Sequence, residues 1–148
     1  MELNLKRIKC TSTYTESVLT DAANPRLFQL HMVEPPVRGL SQHPLCTLSP
    51  GRYKLFCKTH VFSNLIIPRF QKVAGHPFLH IVPLQAETHI PALKFVPEKK
   101  FEVDIWAGRK GGENLVPDTE LFTQFITRLC IAKQMKEIIY VNVSNQNS

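Results

Sequence analysis

His43-x-x-Cys46 is mirrored by Cys57-x-x-His60, the tightest set of metal-capable side chains in this sequence. Two thiolates and two imidazoles would satisfy tetrahedral zinc. The competing reading is scattered core cysteines and surface histidines. It is the stronger one, because Cys57 and His60 fall in a segment that reads as a strand, where residues three apart face opposite ways. Cys10 and Cys130 stand alone and no C-x-x-C occurs, so neither a redox pair nor a zinc ribbon is expected. The sequence also holds no Walker loop, G-x-G-x-x-G, H-E-x-x-H or G-x-S-x-G, which leaves nucleotide, zinc-protease and α/β-hydrolase chemistry without support. No metal and no cofactor is expected.

The basic residues are the second chemical signal. Lys and Arg number 18 against 12 Asp and Glu, a net charge of +6, and no acid occurs between Glu34 and Glu87. That stretch carries Arg38, Arg52, Lys54, Lys58, Arg69 and Lys72 with His43, His60, His76 and His80. Such a field favours an anionic partner: nucleic acid, an acidic protein surface or a cell-wall polymer. An ordinary soluble basic surface is an equal reading, since the cations form no Lys/Arg block. Arg38 follows Pro35-Pro36-Val37, a rigid turn that presents its guanidinium to an internal carboxylate or, less favoured, to a partner. Trp106 with Arg109 and Lys110 has the composition of a small recognition patch; Trp106 covering one sheet face is the plainer alternative.

These residues need a scaffold. A chain of 148 residues suits one domain with a core of its own. Eleven Pro disfavour a helical bundle. No apolar run approaches the ~18 residues of a membrane span, and Met1–Lys6 alternates polar and apolar residues, unlike a signal peptide. Reduced thiols and a cytoplasmic location are therefore expected.

Alternation predicts strands at 2–9, 13–20 and 26–33, an antiparallel meander with Leu3, Leu5 and Arg7 sharing a face. Residues 51–62 alternate with Tyr53, Leu55 and Cys57 inward, 78–82 form a short strand, and 101–106 alternate again. Residues 83–100 carry Pro83, Pro91 and Pro97 and read as an irregular excursion with at most a short strand at 92–96. Gly108 through Gly112 read as a flexible basic loop. The one helical pattern follows Asp118, a plausible N-cap, with Leu121, Phe122, Phe125, Ile126, Leu129 and Cys130 at three- and four-residue spacing. A final strand spans 138–143. The expected fold is α+β: a mostly antiparallel barrel- or sandwich-like sheet with one C-terminal helix and a last strand. It forms one domain, 1–143, with a disordered polar tail at 144–148.

Several motifs, in order, resemble one family. The chain opens with Met1-Glu2-Leu3-Asn4-Leu5-Lys6-Arg7. Val33-Glu34-Pro35-Pro36-Val37-Arg38-Gly39-Leu40 is similar to a Leu-Glu-Asp-Pro-Val-Arg element. Ser49-Pro50-Gly51-Arg52-Tyr53 matches Pro-x-Gly-x-Tyr, and Pro68-Arg69-Phe70 follows. Gly75-His76-Pro77-Phe78-Leu79-His80-Ile81-Val82 is similar to Gly-Phe-x-x-Ile-x-Ile-His. The family is one of small phage-, prophage- and injection-system-associated domains of unknown function. Its His and a later Gly-Cys resemble the active-site pattern of L,D-transpeptidase-like enzymes, which use a Cys thiolate and a nearby His on peptidoglycan. Here Val82 stands at the His position, Val103 at the Gly and Asp104 at the Cys.

The resemblance, with its nucleophile replaced, implies a non-enzymatic structural or accessory component of a phage-like particle or contractile injection apparatus. Such a component contacts other particle proteins and works as a homo-oligomer or in repeated copies. The surfaces expected to dock are the basic middle section and the 83–100 excursion. Two alternatives remain. One is a cell-wall enzyme using His80 and Asp104 in an altered site, since His80 lies two residues before Val82 and so keeps its face of the strand. The other is a basic nucleic-acid-binding accessory protein. Membrane insertion is not expected.

Overall fold

The computed structural model describes residues 1–35, 49–59, 66–71, 78–93 and 102–145. The alternating segments form strands: β1 Glu2–Cys10, β2 Thr15–Asp21, β3 Gln29–Glu34, β4 Gly51–Thr59, β5 Ile66–Phe70, β6 Phe78–Pro83, β7 Thr88–His89, β8 Glu102–Gly111, β9 Asn114–Val116 and β10 Ile139–Asn145, with helix α1 at Thr119–Gln134. Eight strands close into a barrel in the order β3-β2-β1-β10-β4-β5-β6-β8, with β3 pairing back onto β8. Most pairs are antiparallel. Two are parallel, β1 with β10 and β6 with β8. Closure leaves the eight strands without a free edge for another chain to extend.

Side-chain alternation fills the inside. Leu3, Leu5, Leu19, Leu30, Met32, Leu55, Phe70, Leu79, Ile81, Ile105, Val141 and Val143 share one buried cluster with the helix residues Phe122, Phe125, Leu129 and Ala132. The helix meets β5, β8 and β10, strands set around the barrel, so it lies across the mouth where β1 and β10 begin. Its start is fixed by Asp118, whose Oδ1 accepts a hydrogen bond from the Leu121 N–H at 3.0 Å, satisfying one of the unpaired donors of the first turn. The Phe125 ring packs on Phe28 with centroids 5.6 Å apart. The helix ends in a Schellman turn: the Glu137 and Lys136 N–H groups donate to Ala132 and Lys133 carbonyls, and Lys136 takes φ 60°, the left-handed region usually given to Gly.

Several expectations are corrected. Residues 108–112 are not a loop: β8 runs to Gly111, turns at Gly112 (φ 64°) and returns as β9. Gly108 is required by close packing, because a Cβ there would lie 2.4 Å from the Val116 carbonyl oxygen. The segment 66–70, for which the sequence predicts no element, forms an interior strand despite Pro68. It pairs with β6 only at Arg69↔His80, beside the proline that has no N–H to donate. Within the 83–100 excursion, Ala92 closes a short 3-10 helix, Ile90–Ala92, and Leu93 is not in a strand; residues 94–96 lie outside the described residues. Leu84, Ile90 and Leu93 form a second core with Tyr14, Val33 and Leu115 on the outside of the barrel, so these three apolar residues of the excursion are spent within the fold. The last strand continues through Ser144 and Asn145, two residues into the expected tail.

Candidate functional site

The two residues proposed for an altered catalytic site are neighbours. In the parallel β6–β8 register His80 stands opposite Asp104, and on the other side of β6 it stands opposite Arg69. Their inward neighbours Leu79, Ile81 and Ile105 are buried, so alternation places Arg69, His80 and Asp104 in one row on the outer wall. A histidine between a cation and a carboxylate can hold or pass a proton.

No described thiol belongs to this row. Cys57 points into the barrel toward the helix-covered mouth. Burial, with Cys130 next in effect, pushes its thiol above the ordinary cysteine value, Lys133 opposing. That is the opposite of what a nucleophilic thiolate needs. Cys10 is exposed at the end of β1 and Cys130 lies on the helix. His43, Cys46, His60 and Arg38 lie outside the described residues. Among the described residues no group of three or more His, Cys, Asp or Glu could hold a metal ion, and no helix is long and apolar enough to cross a membrane.

Trp106, Arg109 and Lys110 do not form one patch. Trp106 is half-buried against the second core. Arg109 leaves the opposite face of β8 and stands 3.7 Å from the Asp118 carboxylate. Lys110 donates to Glu16 Oε2 at 3.0 Å, and His31 Nε2 lies 3.4 Å from the same oxygen without hydrogen-bonding alignment. Burial pulls the His31 pKa below the ordinary histidine value. The Glu16 charge opposes this and the Lys110 charge adds to it.

A charged network inside the barrel escaped the sequence reading. Arg7 and Glu34, each 1% exposed, meet where β1 and β3 flank β2. Glu34 Oε1 accepts from Arg7 Nε and Nη2 at 3.2 and 3.1 Å, and Oε2 accepts from Ser17 Oγ at 2.7 Å. Arg7 Nη1 also donates to Asn145 Oδ1 at 3.4 Å. The signal was present as parity: Arg7 continues the inward series Leu3, Leu5, and Glu34 continues Leu30, Met32. The pair fixes the end of β3, from which the Pro-Pro-Val-Arg element departs.

On the outer wall, β4 presents Arg52, Lys54, Phe56 and Lys58 between the inward Tyr53, Leu55 and Cys57. Arg52 makes a two-pronged pair with Glu2, at 2.8 and 3.1 Å, and stacks 3.6 Å over the Tyr140 ring. Phe56 is 47% exposed. Sequence reasoning named Arg52, Lys54 and Arg69 but missed Phe56, although it shares their parity. Three further large apolar residues stand in water around the helix C-terminus: Ile131, Met135 and Ile138, at 45%, 67% and 54%.

Comparison with family models, curated proteins and solved structures gives no match.

Proposed function

We propose that this chain is a non-enzymatic structural or accessory component of a phage-like particle or contractile injection apparatus, docking onto other particle proteins or further copies of itself. The observation that carries this reading is the apolar corner of Ile131, Met135 and Ile138. Ile131 and Met135 are one helical turn apart on one face, and Ile138 follows the Schellman turn. Exposed apolar groups gathered at one corner gain free energy only when something covers them. The motif order supports the particle context, and Asp104 at the Cys position supports a role without acyl transfer. The test is affinity capture of the tagged chain from its native source, wild type against an Ile131→Glu/Met135→Glu variant.

The alignment of His80 with Asp104 favours one second reading, acid–base hydrolysis of a cell-wall peptide. Release of a peptidoglycan fragment by the wild-type chain, abolished by Asp104→Asn in a folded variant, would establish it in place of the first.

A further inference from the structure

Four adjacent strands of the barrel, β10, β4, β5 and β6, contain no Asp or Glu at all. Their outer wall carries Arg52, Lys54 and Lys58 on one strand and Arg69 on the next. On β4 the outward positions run Arg52, Lys54, Phe56, Lys58, so Arg52 and Lys54 lie about 6.7 Å apart and Lys54 and Lys58 about 13 Å apart with the Phe56 ring between them. Aromatic rings are set among them. Lys54 pairs in register with Tyr140 and Phe56 with Arg69. Neither Lys54 nor Lys58 has an ion-pair partner among the described residues. Arg52 is held by Glu2 from β1, at the border of this face.

We propose that this wall binds single-stranded nucleic acid. Lys54 and Lys58, with Arg52 beside them, contact backbone phosphates, and a base stacks on Phe56. Cation spacing alone would suit any polyanion. Phe56 favours nucleic acid, because a base offers the ring a π-face, whereas a run of acidic side chains offers the wall only carboxylates. A duplex keeps its bases stacked on one another and would engage the cations without the ring. The Arg52–Tyr140 stack shows that the wall already supports planar contacts of this kind. This inference stands apart from the docking corner at the helix C-terminus, which shares none of these residues.

The test is fluorescence anisotropy of a labelled oligothymidylate titrated with the full chain across salt concentrations. A duplex of the same length and polyglutamate serve as competitors. We expect binding whose logarithm falls linearly with the logarithm of salt. Lys54→Ala/Lys58→Ala should reduce that slope by about 1.4, or roughly 0.7 per lost phosphate contact. Phe56→Ala should weaken oligothymidylate by about five-fold or more while leaving the slope unchanged. Lys133→Ala on the helix should change neither. All the substituted side chains are at the surface, and unchanged circular dichroism and melting would show that the variants fold. The proposal is overturned if oligothymidylate does not bind at low salt or if Phe56→Ala binds as well as wild type. It also fails if the duplex competes as strongly as the single strand, or if polyglutamate displaces it equally, which would point to an acidic protein partner.

Discussion

Arg7 donates twice to one carboxylate oxygen of Glu34, at 3.2 and 3.1 Å, inside a closed barrel. Two charges sealed from water are costly to hold apart from each other. Glu34→Ala should therefore leave the Arg7 guanidinium short of its counter-ion and destabilise the fold by roughly 3–5 kcal/mol, read by urea denaturation. An Arg7→Met/Glu34→Leu double variant removes both charges at similar volume and should recover most of that loss. If Glu34→Ala costs less than about 1 kcal/mol, the pair is not the lock on this end of the barrel.

His31 makes stability depend on pH. Its folded pKa is lowered, chiefly by burial, so the unfolded chain takes up a proton at a higher pH than the folded one. The sign follows: His31 does not lower stability above its unfolded value of about 6.5, and stability falls as pH drops below that value. Of the charges facing the ring, Glu16 opposes the shift and Lys110 adds to it. The fall should be shallower in His31→Gln, measured by denaturation at pH values on both sides of 6.5.

Lys136 occupies a glycine position. At φ 60° its Cβ is strained by roughly 1 kcal/mol, partly offset by the lower unfolded-state entropy of a non-Gly residue. Lys136→Gly should raise stability by a few tenths to about 1 kcal/mol with no change in the helix signal by circular dichroism. A loss of stability would contradict the Schellman assignment.

Gly108 occupies the converse situation. Its added Cβ would meet backbone, not a movable side chain. Gly108→Ala should cost roughly 1–3 kcal/mol by overpacking. Faster amide exchange should be concentrated in the 109–116 hairpin, where β9 must shift away.

Much of this architecture was readable from local pattern. The meander β1–β3, the inward parity of Tyr53, Leu55 and Cys57, and the Asp118 cap are set by neighbours within a few residues. Barrel closure was not readable as such, because β3–β8, β1–β10 and β6–β8 join segments far apart in the chain and leave no periodic trace. β5 carries no legible period, because its apolar residues Ile66 and Ile67 are adjacent and show no alternation before Pro68. Gly108, Gly111 and Gly112 imitated a loop, while Gly108 serves a close backbone approach. Leu84, Ile90 and Leu93 follow neither a strand nor a helix period because a 3-10 turn and bends present them. At the candidate site, His80 and Asp104 could be paired from the motif comparison, whereas Arg69 joined them only through β5. The Arg7–Glu34 pair was missed because parity placed Arg7 on the inward face, while nothing local to the sequence shows that Glu34, 27 residues away, meets it there.

The apolar corner at the end of the helix is the surface proposed to dock particle proteins. Affinity capture from the native source, with bound proteins identified and quantified by mass spectrometry, tests it most directly. We expect tail, sheath, baseplate or capsid proteins, or further copies of the chain, in near-stoichiometric amounts with the wild type, and their loss with Ile131→Glu/Met135→Glu. Recovery of only cell-wall material, or equal capture by wild type and variant, would contradict the claim.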